Sequence, residues 1–279
     1  MKITGVETTS LPARESPTDG THGGRQALIQ LKSDTGLAGF AVVESEAVPA
    51  VEALVRDGLA GADPRATMGL WERMNANAES TRGGHFVRAR AALDIAMWDL
   101  KAKGNDEPLW KTLGGTRPRA RAHLAWDRPW DGCGATDWFR RRRAETGIRS
   151  ASLAAGSDPA HDLTALSDVR DVLEATVPDS TLMLRFDGTD WPRDVIRHVR
   201  ALETRFDLAC VCSPVRRGDV GGARQIGDAV RAAVCVGHGE GDVEAFLPYL
   251  RHYAANVIEL DIAALGISGS IQVADAAFG

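Results

Sequence analysis

The amino-acid sequence predicts an α/β fold, with a small α+β unit ahead of a longer run of βα units. Three observations carry this. Residues 1–118 open with strand-like alternation and then turn helical. From Arg121 onward, short apolar strands and amphipathic helical segments follow one another in strict succession. The residues that punctuate them are those that end helices and make turns.

In the first unit, Ile3 to Thr9, Gln26 to Lys32 and Gly39 to Val43 alternate apolar and polar residues. Ser33-Asp34-Thr35-Gly36 is a turn signal between the last two, so a hairpin is expected. Val48–Leu59, Arg65–Asn77 and Phe86–Lys103 read as helices. The last places Ala89, Leu93, Ala96, Met97 and Leu100 on one face, with Gly104 as its expected C-cap and Pro108 beyond. In residues 119–279 the expected strands are Arg121–Trp126, Ile148–Leu153, Thr181–Asp187, Leu208–Ser213, Ala232–Val236 and Val257–Asp261. The expected helices are Pro159–Thr176, Pro192–Thr204, Val220–Arg231, Val243–His252 and Ser268–Phe278. Six such units favour a parallel sheet covered by helices. An eight-unit barrel needs roughly 31 residues per unit, more than residues 121–279 supply. Unpaired edges of such a sheet favour a homo-oligomer.

The bulk numbers exclude several classes. A net charge of −5 offers no basic surface for nucleic acid and no polybasic membrane anchor. The one dense basic run, Arg140 to Arg143, reads as a solvated helix face. No stretch approaches ~18 apolar residues, so no membrane span is expected. Four cysteines are too sparse for a disulfide framework, and the first residues hold no secretory signal. A reducing cytoplasmic location is therefore expected. All five lysines lie at or before Lys111.

Residues 91–101, reading Ala-Ala-Leu-Asp-Ile-Ala-Met-Trp-Asp-Leu-Lys, with Pro108-Leu109-Trp110 and Leu113-Gly114-Gly115, carry a recognisable signature. So do Gly61-Ala62-Asp63-Pro64, Trp71-Glu72, Arg82-Gly83-Gly84 and the later run Pro214-Val215-Arg216-Arg217. In these the chain resembles the mandelate racemase and muconate lactonizing branch of the enolase superfamily, with the later run similar to acid-sugar dehydratases and racemases. The resemblance implies an α+β capping domain (1–118) followed by an incomplete modified TIM (β/α) barrel of about six βα units (119–279). It implies removal of a proton α to a carboxylate, with the enediolate held by Mg²⁺ and a Lys or His as base. The groups responsible would sit at the C-terminal strand ends.

Placed on that pattern, the strand ends depart from it. On the second barrel strand Ser152 and Ala154 fall where the resemblance implies lysines. On the third, Arg185 falls on a metal-binding Asp and Asp187 on an Asn. On the fourth, Cys212 replaces a Glu ligand. On the fifth, Glu240 matches a Glu ligand, and on the sixth, Asp261 matches the Asp that orients a His on strand seven; the chain stops at Gly279 before such a His. An arginine cannot ligate a cation, and Mg²⁺ requires hard oxygen ligands. Degraded Mg²⁺ chemistry is therefore expected, with Glu240 and Asp187 the remaining metal candidates and Arg185 predicted to pair with one of them.

Four functional readings follow: a non-catalytic relative, a metal-free enzyme, a soft-metal site and, if the strand ends are placed differently, an active Mg²⁺-dependent dehydratase or racemase with a relocated metal site. In the metal-free enzyme Arg185 would bind a small substrate carboxylate, helped by His22 and Arg25 in the capping loops. His238, Glu240 or Cys212 would then move protons, with Asp261 a further catalytic candidate. In the soft-metal site Cys210-Val211-Cys212 with Cys235-x-x-His238 would hold zinc. Against these stand ordinary roles: Cys212 as a small buried residue, His238 as a loop histidine, and Trp126, Trp130 and Trp138 as packing.

Overall fold

The computed structural model describes residues 1–12, 25–76, 83–174 and 180–278. The first three strands, β1 (Ile3–Ser10), β2 (Gln26–Ser33) and β3 (Ala38–Glu44), form an antiparallel sheet in sequence order. Alternation along β2 buries Ala27, Ile29 and Leu31 on one face. That face packs on helices α1 (Val48–Leu54), α2 (Thr67–Ala76) and α3 (Gly84–Gly104). Helix α3 is buried almost all round: Leu93, Ala96, Met97 and Leu100 meet the sheet, while Asp94 and Trp98 face the end of the chain. The expected cap at Gly104 is displaced by one residue. Gly104 closes the last turn, Asn105 caps it, and Asp106 takes the left-handed conformation at φ 54°.

After a short helix α4 (Leu109–Thr112), six strands form one parallel sheet in sequence order: β4 (Leu124–Trp126), β5 (Ser150–Ala154), β6 (Thr181–Arg185), β7 (Leu208–Cys212), β8 (Ala233–Val236) and β9 (Val257–Ile258). Helices α5 (Cys133–Thr146), α6 (Pro159–Leu173), α7 (Pro192–Leu202), α8 (Val220–Gly227) and α9 (Leu247–Arg251) connect them. This is the incomplete (β/α) barrel expected, with β4 and β9 at its edges. Both edge strands are only two or three residues long, which limits the unpaired backbone they present.

Several element bounds differ from expectation for local reasons. β4 starts at Leu124, because residues 118–123 are exposed. Helix α5 carries the basic run expected on a solvated helix face: Gly147 ends it at φ 70°, and Arg140 and Arg142 are bonded to Asp137 and Glu145 on that face. Trp138 of α5 packs edge to face on Trp126 and on Phe139. The last helix, α10 (Ile262–Phe278), begins six residues early and kinks at Gly266, whose φ of 68° suits glycine.

That kink is held from the other unit. Asp94 of α3 accepts hydrogen bonds from Ser268 N (2.8 Å) and Ser268 Oγ (2.6 Å), and Trp98 Nε1 donates to Ser268 Oγ (2.9 Å). The signature helix thus caps the second half of α10 with a side chain 174 residues distant. No described helix is long and apolar enough to cross a membrane.

Candidate functional site

The sheet has two faces of opposite character. Leu153, Leu184, Val211 and Val234 pack under the helices. The inner face carries Ser152, Met183, Arg185, Cys210, Cys212 and Cys235, because the register runs Ser152–Met183–Cys210 and, one level higher, Ala154–Arg185–Cys212–Cys235. One row of parallel pairing therefore brings Arg185, Cys212 and Cys235 together at the C-terminal strand ends.

Arg185 is bound by a residue that sequence reasoning missed. Its Nη1 and Nη2 donate to Glu259 Oε2 (3.1 Å) and Oε1 (3.0 Å), and its Nε lies 3.8 Å from Asp127 Oδ1. The expected pairing with Glu240 or Asp187 is not what forms. Glu259 sits one residue beyond β9 and extends the ladder through Glu259 N to Val236 O. Its position inside the mouth depends on the sheet's curvature, so no local pattern marks it. His238 Nδ1 joins the same carboxylate at 3.1 Å. Burial opposes the charge on Arg185, but the Glu259 hydrogen bonds and charge outweigh it and raise its pKa.

The loop after β8 is fixed by glycine. At Gly237 φ is 111°, and a Cβ there would lie 2.4 Å from the Phe246 ring and 2.6 Å from the Glu259 carbonyl. His238 and Glu240 are thereby turned toward a cavity of about 350 Å³, lined also by Arg185, Asp187, Arg216 and Arg217. Burial raises the Glu240 pKa, partly offset by the charge of Arg217. Asp187 turns away into its own loop, accepting from Thr189 N (2.9 Å) and Thr189 Oγ1 (2.6 Å), bonds that hold its carboxyl below the ordinary range.

Cys212, Cys210 and Cys235 are 4–5% exposed. Cys210 Sγ and Cys212 Sγ are 3.8 Å apart, and all three sulfurs lie within 4.8 Å of one another. Hydrogen bonding within the trio, helped by the charge of Arg185, lowers the Cys212 thiol pKa, while the bond to Cys212 raises that of Cys210.

The remaining sequence candidates lie elsewhere. Asp261 is no part of this cluster: its Oδ2 accepts from Arg88 Nη1 of α3 (3.1 Å) and its Oδ1 from Ala263 N (3.0 Å), so it ties the two units and starts α10. Arg25 is exposed at the start of β2, its carbonyl accepting from Ser45 N. His22 lies outside the described residues.

The donor set does not fit Mg²⁺, which needs near-octahedral oxygen ligation at ~2.0–2.1 Å. Arg185 offers only donors and Cys212 a soft sulfur. Among the described residues, neither Glu240 nor Asp187 joins a metal-sized cluster of three or more ligand groups; the one such cluster is the cysteine trio.

Comparison with known proteins gives the context. Residues 2–114 match the family model of the mandelate racemase/muconate lactonizing enzyme N-terminal domain, and residues 135–278 that of the enolase C-terminal domain-like family. D-galactonate dehydratases from Klebsiella pneumoniae and Ralstonia nicotianae are 35% and 34% identical over 138 and 139 residues. These matches cover 46% and 47% of this chain but a third (33%) of each relative. A Bradyrhizobium enolase crystallised with magnesium and mandelic acid superposes with a TM-score of 0.84 at 24% identity, covering 99% of this chain and 80% of that one. A Streptomyces coelicolor racemase with bound magnesium gives 0.83 at 25% identity, with the same coverage.

Proposed function

Because the chain belongs to the mandelate racemase/muconate lactonizing enzyme branch of the enolase superfamily, we propose that it is a diverged member that binds a small hydroxy-carboxylate without Mg²⁺-dependent proton abstraction. The observation that carries this reading is the Arg185–Glu259 pair, with two hydrogen bonds at the strand end where the resemblance places a metal carboxylate. A guanidinium there cannot ligate a cation, and its donors suit an anion. Arg216 and Arg217 line the same cavity and add to that preference. Among the similar proteins are D-galactonate dehydratases and an enolase crystallised with mandelic acid, and that ligand class suits the charge of the cavity.

In this reading a substrate carboxylate enters the cavity of about 350 Å³ against Arg217 and Arg216. His238, held through Nδ1 by Glu259, presents its other ring nitrogen to the ligand.

The test combines calorimetric titration of galactonate, mandelate and malate with deuterium exchange at the α-carbon, each with Mg²⁺ and with EDTA. Saturable binding indifferent to Mg²⁺, without exchange, is the expected result. Mg²⁺-dependent exchange would overturn it.

A second reading rests on the His238–Glu259 contact of 3.1 Å, an imidazole oriented by a carboxylate at the edge of the cavity. Such a pair serves as a general base without a metal. Exchange that persists in EDTA and is abolished in His238→Gln would favour it.

A further inference from the structure

We propose that Cys210, Cys212 and Cys235 form a thiolate site for one Zn²⁺ ion on the inner face of the parallel sheet, with Glu259 as its oxygen donor. This inference stands apart from the carboxylate reading: it concerns the floor beneath the basic cavity and needs no substrate.

Geometry comes first. Cys210 and Cys212 are two apart on β7 and share its inner face, and Cys235 arrives from β8 directly opposite Cys212. Tetrahedral zinc with Zn–S of ~2.3 Å has sulfur–sulfur edges of roughly 3.8 Å. Cys210 and Cys212 already lie 3.8 Å apart, and the third sulfur needs a shift of no more than about an ångström from a trio within 4.8 Å. The fourth corner has a donor at hand, since Glu259 Oε2 is 4.0 Å from Cys235 Sγ. Zinc structural sites take four ligands of this kind.

The surroundings are those of a site rather than of apolar filler. Arg185, on the same row of the sheet, offsets the negative charge that three thiolates and a carboxylate bring to one ion. The Met183 thioether packs against the trio. Ser152, 1% exposed and on the same face through its pairing with Met183, holds an Oγ without a hydrogen-bond partner. Soft sulfur donors select d¹⁰ ions over Mg²⁺. On binding, the thiols release their protons to solvent as the Zn–S bonds form. His238, which the sequence pattern Cys235-x-x-His238 offers as a zinc ligand, instead holds Glu259 from outside and is a supporting partner of that carboxylate.

The test uses the reduced full chain. Zn²⁺ is titrated against a colorimetric chelator, with Co²⁺ as a spectroscopic probe of thiolate ligation and Cu⁺ as a competing soft ion. The expected result is one Zn²⁺ per chain and a thiolate-to-cobalt charge-transfer band. Cys212→Ser should lose more than about 100-fold in zinc affinity, beyond what loss of an outer partner costs. Cys133→Ala, at the exposed cysteine, should bind as the parent does. Should the serine variants fail to fold, the parent protein decides the matter: in urea strong enough for all four thiols of the zinc-free chain to be alkylated, zinc should protect three, leaving Cys133 reactive. Failure to hold zinc against the chelator, retention of Cu⁺ alone, or alkylation of all four thiols in the presence of zinc would each overturn the assignment.

Discussion

Arg185 and Glu259 meet through two parallel hydrogen bonds of 3.0 and 3.1 Å, joining the end of β6 to the residue just beyond β9 across 74 positions of sequence. The pair spans the mouth of the sheet and fixes its charge. A guanidinium forked onto a carboxylate gains from geometry as well as charge, and both side chains are largely out of water.

Removing one partner should therefore be costly. Glu259→Ala is expected to lower stability by about 2 kcal/mol, less than for a fully buried pair because both groups keep some solvent contact. Urea unfolding should show a lower midpoint with an unchanged slope. An unaltered midpoint would mean the pair contributes only shape.

Restoring carboxylates should restore metal affinity. Arg185→Asp combined with Cys212→Glu places two acids beside Glu240 on adjacent strand ends and should increase Mg²⁺ affinity, measured by calorimetry. No gain at all would count against the assignment of these positions to the metal-binding strand ends.

Anion binding should depend on the cavity's guanidinium groups. Arg217→Ala is expected to weaken hydroxy-carboxylate binding about tenfold, the effect of losing one charge-assisted contact. Equal affinities in the two proteins would place the ligand elsewhere.

Asp94 gives stability an unusual pH dependence. Burial pushes its carboxyl up to about 6, against the hydrogen bonds from Ser268 and Ile267 and the charge of Arg90. A carboxyl whose folded pKa exceeds its unfolded value of ~3.9 binds its proton more tightly in the folded state. Its contribution is full below about pH 4 and is lost as pH rises to 6, levelling above that. Between pH 4 and 7 the parent should lose roughly 2–3 kcal/mol relative to Asp94→Asn, which does not titrate. Parallel stability profiles would remove this titration.

Asp261 should behave as a tie between units rather than as a proton-handling group. A double-mutant cycle with Arg88 is expected to give a coupling of about 1 kcal/mol in unfolding. Carboxylate affinity should be unchanged in Asp261→Asn; a large loss of binding would return Asp261 to the site.

The sequence by itself determined a great deal here. Period-two alternation in β2 and the run of short apolar strands from Leu124 to Ile258 follow from which faces must be buried, a local property readable residue by residue. The signature around Asp94 marked the family, and the misfit of Arg185 and Cys212 with a hard cation needed only residue identity. What the tertiary structure alone decided were the partners. That Arg185 meets Glu259 rather than Glu240, that Cys235 lies opposite Cys212, and that Asp94 caps a helix from another unit all depend on register and sheet curvature. Those are set by packing between segments far apart in the chain, and no pattern within any one segment encodes them.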